Sequence, residues 1–341
     1  MSGAAVIITG LGLEIPGIQD TANLLDALKA PVEASEFIPA DKLGRQGLRY
    51  KDRATKLALC AAQTALTNAG LPTSAATQIT PETFGVVVSS NLGNVDTVCR
   101  VLDTIYSEGA DSVSPLDMPN LSSNVIASSL AIRFGCKALN LMVCNGATSG
   151  IDATHLAANA IRARRADRVL VVGVEPVNPL VERLMEEAAT TWLGFQSKPR
   201  LGEGSAAIVL ESAGSVSARD VKGYARLGRY AYSYSGDVAR TIHEVDDEGA
   251  APPDLWLTPN LSYNPAAEAA ERRLTLWNGI PPVYLDLSYA LGETYGALGV
   301  IQCVAACLWL LKHCRHKAVA TSGACWDEGV ASLIIESLTH S

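Results

Sequence analysis

The chain has 341 residues, of which 48% are hydrophobic and 18% are charged, and its formal net charge at pH 7 is −8. This length and apolar content are ample for a sizeable core, and the ordinary glycine and proline content argues against disorder. The acidic balance argues against nucleic acid and anionic membranes as partners.

The N-terminal apolar run lacks a preceding charged segment, so we interpret it as a first strand and not as a signal peptide. The longest apolar helical run, residues 300–311, is too short to span a bilayer. The eight cysteines contain no C-x-x-C pair and are interpreted as reduced, mostly buried thiols. His313, Cys314 and His316 lie at a basic helix end, which favours a solvated cap over a metal site. The sequence therefore predicts a cytoplasmic protein without a metal or cofactor.

Strand and helix signals alternate along the first half of the chain. β-Branched and apolar runs predict strands, and apolar residues at helical spacing predict helices. The predicted strands are residues 5–11, 84–89, 138–143, 168–174 and 204–211, and the predicted helices are residues 52–69, 94–107, 121–134 and 147–165. The strands at 138–143 and 168–174 are expected to be buried.

The second half repeats a similar succession of elements. Its predicted strands are residues 224–235, 283–287, 318–321 and 331–335, its predicted helices are residues 265–277 and 294–312, and residues 244–254 are a predicted surface loop. Alternating strands and helices indicate an α/β fold. Two comparable βαβαβ halves indicate a duplication, with an N-terminal half at residues 1–215 and a C-terminal half at residues 216–341.

Several short segments resemble those of one enzyme family, in the same order along nearly the whole chain. These segments are VIITGLG at 6–12, DRAT at 52–55, FGVVVSSNLG at 84–93, IRFG at 132–135, ADR at 166–168 and GEGS at 202–205. Together they resemble the β-ketoacyl synthases of the thiolase superfamily. The resemblance implies a thiolase-like fold, in which the two halves form a layered αβαβα architecture.

An active member of that family uses three groups. A cysteine at a helix N-terminus takes the acyl chain, because the helix dipole and backbone N–H groups favour the thiolate. Two histidines then assist decarboxylation of the malonyl unit and stabilise the developing enolate.

All three groups are missing at the matching positions. The nucleophile turn is matched by residues 145–150, which places Ala147 at the cysteine position. Pro265 anchors the register that places Asn260 at the first histidine position, and residues 288–299 place Glu293 at the second. None of the five histidines (155, 243, 313, 316 and 340) falls at either position. A methyl group cannot form a thioester, and a carboxylate does not stabilise an enolate as an imidazole does.

With these three replacements, the chain resembles the chain length factor, which is the non-catalytic ketosynthase partner in type II polyketide systems. The resemblance implies a heterodimer with an active ketosynthase, whose buried interface forms the tunnel for the growing chain. It also implies an acyl carrier protein that docks mainly through the active partner. Many such subunits carry glutamine where this chain has Ala147, so a decarboxylating role is not implied. The sequence does not distinguish between an aromatic polyketide and an aryl polyene as the product.

The segment at 115–129 enters a helix that is rich in small residues, which would allow close contact or leave a channel open. We therefore expect Met118, Leu121, Asn124 and Val125 to lie near a shared tunnel, together with Trp326. The alternative is that they fill an ordinary core. The strand at 138–143 is expected to pair with its counterpart in the partner, extending one sheet through both subunits.

Two other functions stay open from the sequence. The chain could be a homodimeric ketosynthase-like enzyme that uses Cys144 as its nucleophile, although the alternation of the preceding strand predicts a buried core thiol. It could instead be an acyl-binding scaffold without a ketosynthase partner. A serine hydrolase using Ser149 is disfavoured, because that serine sits one place late for G-x-S-x-G.

Overall fold

A computed structural model describes residues 5–78, 80–192, 200–246, 252–260, 282–323 and 329–338. The strands in this part of the chain are β1 Val6–Glu14, β2 Phe84–Ser89, β3 Asn140–Val143, β4 Arg168–Glu175, β5 Gly204–Ser212, β6 Ala225–Ser233, β7 Leu255–Leu257, β8 Val283–Leu285, β9 Lys317–Gly323 and β10 Val330–Ser337.

The α-helices are α1 Leu24–Ala27, α2 Pro39–Leu43, α3 Arg53–Asn68, α4 Val95–Glu108, α5 Val125–Phe134, α6 Ser149–Arg162, α7 Pro179–Glu187, α8 Ala213–Arg219, α9 Val238–Val245, α10 Leu287–Leu291 and α11 Leu298–His313. Local chemistry sets several of these ends. The side chain of Asp52 accepts a hydrogen bond from the Thr55 N–H and caps α3, and Gly70, with φ +65°, follows the end of the same helix.

The strands form one hydrogen-bonded sheet in the order β3-β2-β4-β5-β1-β6-β10-β9-β7-β8. The first five strands are ordered 3-2-4-5-1, and the second five repeat this order in the opposite direction across the sheet. The halves are joined through a short contact between β1 and β6, in which Ile7 pairs with Arg226 and Ile8 with Ala225. The repeated order is what a duplicated unit would produce.

Three buried apolar clusters separate the layers. One lies between α3, α5 and the strands of the first half, and another lies between α9 and the strands of the second half. The third surrounds α6 and α11, which contact strands of both halves. The structure thus has the five-layered α/β arrangement predicted from the sequence, with α6 and α11 as its central layer.

The helical run Tyr295–His313 is longer than the apolar run of residues 300–311 recognised in the sequence. By length and composition it could cross a membrane, but 72% of its apolar window is buried inside the protein. This burial is typical of a core helix.

Two elements differ from their predictions, and a third cannot be compared. The helix predicted at 121–134 is interrupted, because Ser122 has an extended backbone between a 3₁₀ turn at Met118–Leu121 and α5. The predicted loop at 244–254 begins within α9 and ends before β7. The acidic residues there concealed the apolar face formed by Val238, Ile242 and Val245, which packs in the outer cluster. The helix predicted at 265–277 lies outside the described residues.

Strand β3 was predicted to be buried, but its residues are exposed or half-buried. In the described part of the chain, β3 pairs with β2 on one side and ends the sheet on the other. Its side chains therefore lack the second neighbour that buries β2 and β4.

Candidate functional site

The turn at the expected nucleophile position joins β3 to α6. Residues Gly146–Thr148 form a 3₁₀ turn directly before α6, and Ala147 within it is fully buried. Asn91 holds this turn from the end of β2, since its Nδ2 donates to the Gly146 carbonyl and its Oδ1 accepts from the Gly146 N–H, both at 3.0 Å. The helix N-terminus is thus ordered, but the side chain at its start is a methyl group.

Asp152, one turn into α6, fixes the same turn from its other side. Its Oδ2 accepts hydrogen bonds from Asn145 Nδ2 at 2.7 Å and from Thr148 Oγ1 at 2.8 Å. Its Oδ1 accepts from the hydroxyl of Tyr230, on β6 of the second half, at 2.7 Å. Burial and the adjacent Asp152 carboxylate raise the pKa of Tyr230, which keeps the phenol protonated as a donor. The turn is therefore held by residues from both halves.

The two expected histidine positions meet in the folded chain. Asn260 and Glu293 are 2% and 4% exposed, and the Asn260 Nδ2 donates to the Glu293 Oε2 at 2.7 Å. The other carboxylate oxygen, Oε1, accepts from the Tyr295 N–H at 2.7 Å. An amide bonded to a carboxylate thus occupies the two positions at which the family resemblance predicts histidines.

The segment that follows Glu293 packs against the residues that hold the nucleophile turn. The Gly296 carbonyl accepts a hydrogen bond from Ser89 Oγ at 2.8 Å. A Cβ at Gly296 would lie 2.7 Å from both Asn91 Nδ2 and Glu175 Oε1. Glycine is needed at this position because the two halves meet here without space for a side chain.

Glu175, at the end of β4, was not recognised from the sequence. Its carboxylate is buried and accepts hydrogen bonds from the backbone N–H groups of Asn91 and Leu92 at 2.5 and 3.1 Å. Burial raises the pKa of Glu175 to about 7, although these hydrogen bonds oppose the rise. Glu175 thereby orders the loop that carries Asn91. Its position at the carboxyl end of a parallel strand was the available signal.

A narrow recess lies between Glu175 and Glu293 and is otherwise lined mainly by apolar side chains, among them Leu92, Val177 and Met185. Its volume is about 10 Å³, which is room for one water molecule. This recess, as formed by the described residues, does not hold an acyl chain.

The Glu175 carboxyl makes stability depend on pH. Its pKa is about 7 in the folded protein and about 4.3 in the unfolded chain, so the folded state binds the extra proton between these values. Stability should therefore fall as pH rises through this window, by up to about 4 kcal/mol from this group alone. We expect the loss to be complete above pH ~7.

Urea unfolding between pH ~5 and ~8 measures this effect. The Glu175→Gln variant should lose stability less steeply with pH than the original chain, because its amide does not titrate. Glu108→Gln, which changes an exposed glutamate at the end of α4, is the control and should retain the original slope. Equal slopes for the Glu175→Gln variant and the original chain would contradict the raised pKa.

Cys144 does not have the environment predicted for it. The sequence indicated a buried core thiol, but the residue is exposed at the end of β3, because this edge strand is open on one side. Partial burial of the thiol and the Glu175 carboxylate raise its pKa. The shift favours the neutral thiol, which is the opposite of what activates a catalytic cysteine.

The expected tunnel residues have different environments. Met118 is 54% exposed, Leu121 is half-buried and Asn124 is exposed. Val125 is buried in the cluster between α3, α5 and the first-half strands. Trp326 lies outside the described residues. Their place along a tunnel stays a prediction.

The chain matches one protein family and several known proteins in sequence. Residues 41–214, just over half of the chain, match the family profile described as "Beta-ketoacyl synthase, N-terminal domain". The chain is 28% identical over 272 residues to the tetracenomycin polyketide synthase ketoacyl synthase alpha subunit of Streptomyces glaucescens, with 66% of this chain and 62% of that protein covered. It thus spans less than two thirds of that relative. It is 24% identical over 366 residues to 3-oxoacyl-(acyl-carrier-protein) synthase 2 of Coxiella burnetii, with 90% and 86% covered.

Solved structures share the fold at low sequence identity. The ishigamide ketosynthase/chain length factor superposes with a TM-score of 0.80 at 18% identity, covering 98% of this chain and 100% of that chain. A type II acyl carrier protein in complex with its ketosynthase, AntDE:AntF, contains a chain that superposes with a TM-score of 0.83 at 17% identity and the same coverage. These matches confirm the predicted thiolase-like fold.

Proposed function

Because the chain belongs to the β-ketoacyl synthase family, we propose that it is a non-catalytic, chain-length-factor-like subunit that pairs with an active ketosynthase in type II polyketide biosynthesis. The observation that carries this proposal is the contact between Asn260 and Glu293. The two positions expected to hold histidines are adjacent in space, as the family mechanism requires, yet they hold an amide and a carboxylate bonded to each other. The buried methyl group of Ala147 completes the loss of reactive groups.

The shape of the site supports the same role. The ordered turn and the close contact between α6 and α11 preserve the scaffold of a ketosynthase site. The recess beside it has space for about one water molecule. Space for a growing chain would then be shared with the partner, and this subunit would contribute to the shape of that space.

The free edge of the sheet supports pairing with a second subunit. β3 ends the described sheet, and its apolar residue Leu141 is 42% exposed. Exposed apolar residues continue nearby in the sequence at Met118 and at Ile132 on α5. An unpaired apolar edge strand would promote aggregation unless a partner covers it. We propose that the counterpart strand of an active ketosynthase pairs with β3.

Related assemblies support partners of this kind. One structural neighbour is a type II acyl carrier protein bound to its ketosynthase, and another is a ketosynthase/chain length factor. By analogy, an acyl carrier protein would deliver the chain mainly through the active subunit.

Co-expression with an active ketosynthase and its carrier protein tests this proposal. We expect a stable one-to-one complex and product only when both subunits are present. Changing the nucleophilic cysteine of the ketosynthase to alanine should abolish product, whereas Cys144→Ser in this chain should leave the rate unchanged. The isolated chain, incubated with malonyl-loaded and acyl-loaded carrier protein, should release no CO₂ and gain no acyl mass.

A covalent acyl adduct on the isolated chain would overturn the proposal. If Cys144→Ser removed that adduct, the chain would be a ketosynthase-like enzyme that uses its exposed thiol. Non-covalent acyl binding by the isolated chain, without complex formation, would instead indicate an acyl-binding scaffold.

A further inference from the structure

A second cavity lies at the opposite end of the first-half sheet. We call it the distal recess. It has a volume of about 600 Å³ and opens between the end of α3, the start of β4 and α8. β4 runs eight residues from Arg168 at the recess to Glu175 at the candidate site, a separation of about 23 Å at about 3.3 Å per residue. Its volume is within the usual range for small-molecule sites.

Two arginines line the recess, and a buried carboxylate outside its lining holds both of them. The Arg168 Nε donates to the Glu211 Oε2 at 3.0 Å, and the Arg219 Nε lies 3.6 Å from the same oxygen. Glu211 is fully buried and also accepts from Thr9 Oγ1 at 2.6 Å and from Ser215 Oγ at 2.8 Å. The carboxylate is thus fully engaged and holds both guanidinium groups in place.

The guanidinium groups retain hydrogen-bonding capacity. Each has five N–H donors. In the described part of the chain, Arg168 uses Nε and Nη2, and Arg219 uses Nη2 to bond the Ala69 carbonyl. Both residues line the recess, and within the described residues neither Nη1 atom makes a hydrogen bond. Burial and the positive charge of Arg168 lower the pKa of Arg219, whereas the Glu211 carboxylate raises it. A further anion nearby would therefore stabilise the charged form of Arg219.

The remainder of the wall limits the kind of anion. Leu71, Pro72 and Val221 give the recess apolar surface, and the exposed Asp167 stands among its lining residues. Apolar surface favours a ligand with a hydrocarbon body. A carboxylate on the wall disfavours multiply charged ligands such as phosphate, because each added negative charge is repelled.

We propose that the distal recess binds a small amphipathic monocarboxylate, whose carboxylate contacts Arg168 and Arg219 and whose apolar body packs against Leu71, Pro72 and Val221. The Nη1 group of each arginine can donate a charge-assisted hydrogen bond to the ligand, so the pair can bind both oxygens of one carboxylate. The proposal is independent of the function assigned to the candidate site.

Calorimetric titration and ligand-observed NMR on the full chain, with sodium hexanoate and sodium benzoate as probes, test the proposal. We expect saturable binding of at least one carboxylate, and at least about tenfold weaker binding of neutral hexanamide and of inorganic phosphate. Arg219→Gln should weaken carboxylate binding at least about tenfold, because it removes the charge-assisted hydrogen bonds.

Two further variants distinguish recess binding from general effects. Arg133→Gln is the matched control, because Arg133 likewise donates through Nη2 to a backbone carbonyl, that of Leu43, but lies away from the recess. It should bind the probe as the original chain does. Ala218→Trp fills the recess from an exposed position on α8 and should abolish binding without disturbing the core.

Three results would overturn the proposal. They are no binding of either carboxylate at millimolar concentration, binding that persists in Ala218→Trp, and phosphate or hexanamide binding as tightly as hexanoate.

Discussion

Replacing Gly299 with valine is expected to prevent the chain from folding. A Cβ at Gly299 would lie 2.4 Å from the Ile151 backbone nitrogen and 2.8 Å from the Gly150 carbonyl carbon. Both atoms belong to the backbone of α6, so they cannot move aside without separating the two central helices. Gly299→Ala should already cost about 3 kcal/mol, a large part of the about 5–15 kcal/mol that stabilises a typical domain.

Soluble yield and urea unfolding measure this effect. The matched control is Gly214→Ala on α8, where the nearest atom to the added Cβ is Ser212 Oγ at 4.0 Å. That variant should be neutral or slightly stabilising, because alanine has the higher helix propensity. If Gly299→Ala unfolded at the same urea concentration as the original chain, this result would contradict the close contact between α6 and α11.

The second large effect is expected at the edge strand. If β3 pairs with a ketosynthase as proposed, Leu141→Glu should weaken binding of that ketosynthase at least about 100-fold, because it would place an unpaired charge in a desolvated interface. The fold itself should survive, since this side chain is exposed in the isolated subunit. Co-purification and analytical ultracentrifugation measure the complex, and the melting temperature reports on the subunit alone.

Leu311→Glu is the control for an added surface charge. Leu311 is 62% exposed near the end of α11, in the second half of the chain and away from β3. It should leave the complex intact. If Leu141→Glu retains the complex, β3 does not pair with the partner. If both variants lose the complex, the effect of Leu141→Glu is a general effect of added surface charge and is not evidence for pairing at β3.

The well-buried elements were predicted most accurately. The bounds of β2 agree with the prediction at residues 84–89, α3 is one residue shorter than predicted at each end, and β4 is one residue longer at its C-terminal end. β2 and β4 are nearly continuous apolar runs because both faces of these strands are covered, and α3 has apolar residues at helical spacing. β7 and α9 were missed, since β7 is three residues long and the last turn of α9 runs into the acidic stretch that predicted a loop.

The supporting groups of the site could not be predicted in the same way. Glu175, Asp152 and Tyr230 act through contacts with residues far away in the sequence, as in the bond between Tyr230 and Asp152, which are 78 positions apart. Local pattern carries no information about such contacts. The exposure of Cys144 was missed for a related reason, because alternation within a strand does not reveal that the strand lies at the edge of a sheet.

The sequence by itself determined the fold class, the family resemblance and the residue types at the three positions matched to the family's catalytic motifs, because these follow from local pattern and aligned motifs. Only the tertiary structure decided that Asn260 and Glu293, 33 residues apart, are hydrogen-bonded to each other, that Glu175 is buried beside them and that β3 is left uncovered. Those properties depend on which distant segments pack together, and burial and hydrogen bonding between such segments are set by the whole fold.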